Sequence, residues 1–360
     1  MKRWYAVLIF ALMLTGCVEN RILDDLQMIT VIGYDKADDG SESDVVKGIA
    51  VAPQFERDGR IENNVFVESA HLSKEIRSQF NAESSKPLVS GKLQVAIYSR
   101  EIAETDGIID LVDTLQRDPA IGSRAFLAIA NSDPEEMLRS DFGNVDIGSY
   151  IHDVLEHNSV NGMLPLTNLH YFLYYYYSEG NDPFLPLIEK QDNKVKIVGL
   201  ALFDGDKMVG EIGLQDLFTF KALFEKFSSN DSYSVKLDNG EYAAVYNIAS
   251  KRNLNLADVD KDNIEIKGEI LGIIKEYSGE KLNPKIMKEI QSTMEVEIEE
   301  KGNAMIKDFQ RLGVDPLGLG NAVRSVTRGG LDQKEWKKKY EDMDITFNMN
   351  VNITEAGVTE

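Results

Sequence analysis

Cys17 is the only cysteine in the chain and closes the run Leu14-Thr15-Gly16-Cys17. Ahead of it stand Lys2, Arg3 and an apolar stretch from Trp4 to Leu14. A charged start, a short apolar run, small residues and a cysteine form the spacing of a bacterial lipoprotein signal. The run is about half of the roughly 20 residues needed to cross a bilayer, so it predicts a cleaved export signal. Cleavage behind Gly16 would remove residues 1–16 and leave Cys17 as an N-palmitoyl, S-diacylglycerol cysteine. One acyl chain holds a protein only reversibly, whereas two chains anchor it durably.

The remaining reactive residue types form no such pattern. His152 and His157 are five apart, His71 and His170 are remote, and the lone cysteine excludes a zinc cluster, so no metal site is expected. The acidic stretch from Asp35 to Asp44 lacks the order and the distant glutamate of a calcium loop and reads as a solvated hairpin turn. Gly318-Leu319-Gly320 follows a helix and has no lysine in register, so it reads as a loop or helix start after Asp315-Pro316 instead of a phosphate cradle. No nucleophile, base and oxyanion set is visible, so neither a catalytic residue nor a cofactor is expected.

Two tracts could serve partners. Tyr171 to Tyr177 packs six aromatics into seven positions. Core packing is the plainer expectation; a contact surface using Tyr174, Tyr175, Tyr176 and Tyr177 is the sharper one, since tyrosine is enriched in interfaces. Lys334-Glu335-Trp336-Lys337-Lys338-Lys339-Tyr340 is the most basic run. It reads as a solvated helix face, with Trp336 as a further contact candidate against lipid headgroups or an acidic subunit.

Charge narrows the choice of partners. The chain carries 39 basic and 60 acidic residues, a net charge of −21. Loss of Lys2 and Arg3 with the signal would make it about −23, a balance repelled by anionic lipid and unsuited to nucleic acid. The acyl chains must do the holding.

The elements that position these residues fall into an ordered series. Met28–Tyr34 and Val45–Phe55 read as strands around the acidic turn. Leu72, Ile76 and Phe80 form a helical stripe; Leu93, Val95 and Ile97 alternate as a strand; Ile108 to Leu115 is a second helix. Ala125–Ala130 has strand length, and Asp133-Pro134-Glu135-Glu136 starts a helix. This alternation predicts an N-terminal α/β domain, 17–190, with a mixed sheet and flanking helices. The polar stretch Ser178–Lys194 is the expected boundary. Beyond it, hairpins around Asp204-Gly205-Asp206 and Asn239-Gly240 predict a β-rich middle domain, 195–258. The last domain, 259–360, is expected to be α+β, with a long helix from Asn283-Pro284 to Gly313 and a closing strand of alternating pattern, Ile345 to Ile353. The fold class is α/β plus α+β, multidomain, its C-terminal sheets largely antiparallel.

These landmarks, taken in order, resemble the Ger(x)C family, the lipoprotein C subunits of bacterial spore germinant receptors. The resemblance rests on Gly16-Cys17, Arg21 to Leu26, Val31-Ile32-Gly33-Tyr34-Asp35-Lys36, Gly91 to Val95 and Leu115 to Pro119. Gly199 to Phe203, Lys207 to Gly210, Asp315-Pro316-Leu317-Gly318-Leu319-Gly320 and Trp336-Lys337 complete it. Val18 departs from the aromatic expected after the cysteine, which touches the linker and not the anchor. The resemblance implies a non-enzymatic subunit on the outer face of the spore inner membrane, working with A-type and B-type integral membrane receptor subunits in nutrient-triggered germination. It leaves direct binding of a small-molecule germinant open. The alternative is a lipoprotein solute-binding protein of an uptake system, whose two doubly wound lobes sit poorly with the antiparallel C-terminal pattern.

Overall fold

The computed structural model describes residues 25–37, 45–162, 164–227, 232–259, 262–327 and 332–354. Cys17, the expected signal peptide 1–16 and most of the acidic turn therefore lie outside the described residues.

Strands β1 (Gln27–Met28), β2 (Val31–Lys36), β3 (Val46–Phe55) and β4 (Ile61–Ala70) come first, followed by helix α1 (Ser73–Glu83). Strands β5 (Leu88–Val89) and β6 (Val95–Ser99) precede helices α2 (Arg100–Thr105) and α3 (Ile109–Gln116). Strand β7 (Phe126–Ala130) leads to helices α4 (Pro134–Leu138), α5 (Ile147–Val160) and α6 (Leu169–Tyr177). Strands β8 (Phe184–Gln191), β9 (Lys194–Asp204) and β10 (Lys207–Gly213) complete a sheet ordered β10-β9-β8-β7-β6-β2-β3-β4. Strands β2, β6, β7 and β8 run parallel at its centre, and hairpins extend both edges.

The central strands are buried on both faces, which is why Val95–Ser99 and Phe126–Ala130 read as unbroken apolar runs. Their period of two sorts the side chains. Ile32, Tyr34, Ala96, Tyr98, Leu127 and Ile129 pack beneath α1, α2, α3 and α6. Val31, Val95, Ile97, Phe126 and Ala128 pack beneath α4 and α5. Asp133 caps α4 by accepting from the Glu135 and Glu136 amides, as its sequence signature predicts.

Helix α7 (Leu217–Phe224) joins this second core to a four-stranded sheet: β11 (Ser232–Lys236), β12 (Tyr242–Asn255), β13 (Asn263–Tyr277) and β14 (Asp344–Thr354). The first three strands are antiparallel, with the turn at Asn239-Gly240 where Gly240 takes φ +86°. Between β13 and β14 run α8 (Pro284–Leu312), α9 (Leu319–Val326) and α10 (Gln333–Asp342), and this crossover makes the last pair parallel. Helix α8 is capped by the Asn283 side chain at one end and by Gly313, φ +70°, at the other.

Strand β14 is an edge, and α8 covers it. Asn303, Glu299 and Glu295 accept hydrogen bonds from the amides of Phe347, Met349 and Val351 at 2.9, 2.7 and 2.9 Å. Backbone donors that would otherwise invite a foreign strand are thereby occupied.

The first expected boundary falls at the end of β8, and the second falls in the turn between β12 and β13. Strands β8 and β9 pair from Phe184↔Leu202 to Gln191↔Lys194, so the stretch taken as a linker is largely a hairpin strand and the first sheet runs on to Gly213. Strands β12 and β13 pair up to Asn255↔Glu265, with residues 258 and 259 in the turn that joins them. The expected middle unit is shared between two sheets: β9 and β10 belong to the first, β11 and β12 to the second.

Candidate functional site

Where the two sheets meet, three segments far apart in sequence converge: the residues ahead of β8, the loop after α8 and the face of α10. Asp315 is fully buried in this loop. Its carboxylate accepts from the Leu319 amide at 3.0 Å, the Gly320 amide at 2.7 Å and the Trp336 indole N–H at 3.2 Å. Asp182, also buried, exchanges two bonds with the same residue: its Oδ2 accepts from the Asp315 amide at 2.7 Å, and its amide donates to the Asp315 carbonyl at 3.0 Å. The Gly180 carbonyl accepts from Asn321 at 3.0 Å, and the Gly180 amide donates to Gln333.

Glycine is required at the closest approach. A Cβ on Gly180 would lie 2.4 Å from the Asn321 nitrogen, and the residue holds φ +75°. A Cβ on Gly320 would lie 2.5 Å from Trp336 Nε1. The Gly-Leu-Gly run is thus neither phosphate loop nor slack: its amides and bare backbone wrap one carboxylate and one indole.

Charge is concentrated here. Burial pushes the Asp315 carboxyl up to about 7, against the pull of the Gly320 and Leu319 amides and of Arg252. Burial also raises Asp182, opposed by Lys337. Arg252 is drawn down to about 10 by its own burial and donates to the Leu317 carbonyl at 3.2 Å. The Lys337 ammonium bonds to Asp204 and lies 3.9 Å from Asp182. The bonds of Asp182 with Asp315 and of Lys337 with Asp204 tie the segment around β8 and β9 to the loop after α8 and to α10.

The expected contact residues separate into three kinds. Tyr174 and Tyr177 on α6 are 48% and 63% exposed, which leaves them free to meet a partner. They line a cleft of about 350 Å³ with Gln116, His170 and Leu173. Tyr175 and Tyr176 are half-buried: Tyr175 stacks on Phe184 at 5.6 Å, Tyr176 on Phe172 at 6.4 Å. Burial raises the Tyr175 phenol, and Glu225 adds to it. Trp336 does not belong to a surface. At 1% exposed it is core, because the amphipathic α10 turns Trp336 and Tyr340 inward together. The lysines beside it are engaged by the chain's own acids, Lys337 with Asp204 and Lys339 with Asp262 at 3.1 Å.

His152, Asp153 and Glu156 place ligand atoms within 4.8 Å of one another, a grouping that attention to the i, i+5 histidine spacing overlooks. Both carboxylates are exposed, and the arrangement carries no assignment.

Fold and junction define a multidomain α+β protein whose two larger sheets are locked through a buried polar latch. Comparison with known proteins gives that class its family. The model described as the spore germination protein N-terminal domain matches residues 19–190, and the spore germination B3/GerAC-like C-terminal model matches 198–357. The chain is 32% identical to spore germination protein GerQC of Bacillus cereus over the whole of both chains. It is 21% identical to spore germination protein KC of Bacillus subtilis (strain 168), across 98% of this chain and 95% of that one. The crystal structure of the GerBC protein shares the fold, with a TM-score of 0.58 over 89% of this chain and 96% of that one at 13% identity. The chain belongs to the Ger(x)C family of spore germination proteins.

Proposed function

We propose that this chain is the lipid-anchored, non-enzymatic C subunit of a spore germinant receptor, held at the outer face of the spore inner membrane by acylated Cys17. Full-length similarity to proteins named for spore germination carries the reading. The signal Leu14-Thr15-Gly16-Cys17 supports the anchor. Among the described residues no helix is long and apolar enough to cross a membrane. The exposed phenols of Tyr174 and Tyr177 offer a surface to the A-type and B-type integral membrane subunits. The uptake-system alternative loses ground to the fold, because one mixed sheet latched to a four-stranded sheet is not a pair of doubly wound lobes.

Replacing Cys17 by Ala tests the anchor. The variant is expected to leave the membrane fraction of spores and to slow nutrient-triggered germination. Unchanged retention together with unchanged germination would refute it.

A further inference from the structure

The described chain enters at the amino end of the first sheet. The Gln27 amide donates to the Pro87 carbonyl at 3.0 Å, and the Thr30 amide donates to the Val51 carbonyl at 3.0 Å. Strand β3 runs on past this point, from Val51 opposite Val31 to Phe55 opposite Ile61, where it turns into β4. The point of entry and the β3–β4 turn therefore share one end of the sheet.

That turn holds an apolar ring in the open. Phe55 is 62% exposed, and no other phenylalanine among the described residues is exposed. The exposure is built in, since the turn is braced. The Glu56 amide donates to the Arg60 carbonyl at 2.8 Å and the Gly59 amide to the Glu56 carbonyl at 3.0 Å. The Asn144 side chain accepts from the Ile61 amide at 2.7 Å and donates to the Gly59 carbonyl at 3.0 Å.

Basic side chains flank the ring. Lys92 Nζ lies 5.6 Å from its centroid and 3.6 Å from the Asp146 carboxylate. Arg60 donates to Asp58 at 2.7 Å, and Gln54 donates to Glu56 at 2.8 Å. Those acids are engaged, and Arg57 stands exposed with no acidic partner among the described residues. An exposed aromatic ring beside cations on long apolar stems suits the headgroup layer of a bilayer.

The length of chain outside the described residues says what covers this end. Residue 25 is eight residues on from Cys17, a connection of at most about 29 Å at full extension. The ten residues of β4 carry the other end of the hairpin about 33 Å away from the turn. We propose that the β3–β4 turn is the membrane-facing tip of the anchored chain, with Phe55 in the headgroup layer and Arg57 on lipid phosphates. The acyl chains supply retention, and the turn decides which end of the ectodomain faces the lipid. A chain of net charge −21 is repelled by anionic lipid, so contact through one small tip suits it. The proposal rests on the anchor at Cys17, and its experiment reads the two separately.

Tryptophan placement in the mature acylated chain tests it, in vesicles of phosphatidylglycerol and phosphatidylethanolamine. Without the signal, the native chain has Trp336 alone, and that indole is core. In Phe55→Trp, the introduced indole should lose roughly half of its emission or more when the lipid acyl chains are brominated, as expected within about 5–10 Å of the acyl boundary. Trp336 should change by less than about a tenth, and so should the indole of Leu72→Trp, two residues beyond the far end of β4. Adding Arg57→Gln to Phe55→Trp should reduce the quenching about twofold. Circular dichroism confirms that each variant is folded, and flotation with the vesicles reports the anchor. If the chain floats and Phe55→Trp is quenched no more than Leu72→Trp, the tip faces away from lipid and the inference is overturned while the anchor stands. If the chain does not float, the anchor fails and the inference falls with it.

Discussion

Replacing Asp315 by Asn removes a charge from the latch while keeping its shape. In the folded chain this carboxyl titrates at about 7, against an ordinary value of 3.8. At about 1.4 kcal/mol per pH unit, the difference amounts to about 4 kcal/mol. The folded state holds the proton more tightly than the unfolded chain does. Protonation therefore stabilises: the contribution is complete below pH 3.8, shrinks as pH rises and is gone above about 7. About 3 kcal/mol of it disappears between pH 5 and pH 8. An asparagine cannot titrate, so the variant lacks this loss. Its single acceptor oxygen leaves at least one of three N–H donors unmatched, a cost of about 1–3 kcal/mol at every pH. The difference in stability between native protein and variant should therefore move by about 3 kcal/mol in the native protein's favour on going from pH 8 to pH 5. Urea unfolding followed by tryptophan fluorescence measures this at the site itself, because Trp336 bonds to Asp315 and the only other tryptophan is Trp4. If both proteins lose stability in parallel between pH 5 and 8, agreeing within about 1 kcal/mol, Asp315 is not the buried acid described.

Gly180→Ala should destabilise by more than about 2 kcal/mol in the same unfolding assay, since the new methyl meets backbone at a positive φ. Glu299→Ala should cost about 1–3 kcal/mol and raise aggregation measured by light scattering, because it strips the acceptor from the Met349 amide on a sheet edge. Tyr174→Ser with Tyr177→Ser should leave stability within about 1 kcal/mol while reducing co-purification of the membrane subunits from solubilised spores. Unchanged co-purification would remove those two phenols from the contact surface.

Local signals carried the sequence a long way. The caps at Asp133, Asn283 and Gly313, the turn at Asn239-Gly240 and the stripe of α8 all express interactions within a few residues, and each is where its spacing implies. What escaped was set by distance along the chain. Asp182 sat in a stretch rich in glycine and proline that suggests a linker, and only its bond to Asp315, 133 residues away, makes it a core residue. Trp336 stood among lysines, and composition alone placed it outside. Helix α5 carries Ile147, Ile151 and Leu155 at i, i+4 and i+8 behind an Asp146 cap, local signals that the sequence reading passed over. The motif Asp315 to Gly320 held a usable hint: an aspartate four and five residues ahead of small-residue amides is placed to gather them.

The bonds from α8 to the edge of β14 work like a vernier. Four residues of helix advance about 6.0 Å while two residues of strand advance about 6.6 Å, so successive rungs drift apart by about 0.6 Å. Asn303, Glu299 and Glu295 absorb that drift over three rungs, and the next candidates, Gln291 and Ile353, make no such bond. Two scales matched so narrowly tolerate substitution better than a change of length. One residue inserted between Glu295 and Asn303 would turn the rungs beyond it by about 100° and disengage them together. Length variation among relatives of this chain should accordingly avoid this stretch of helix and collect in the turns.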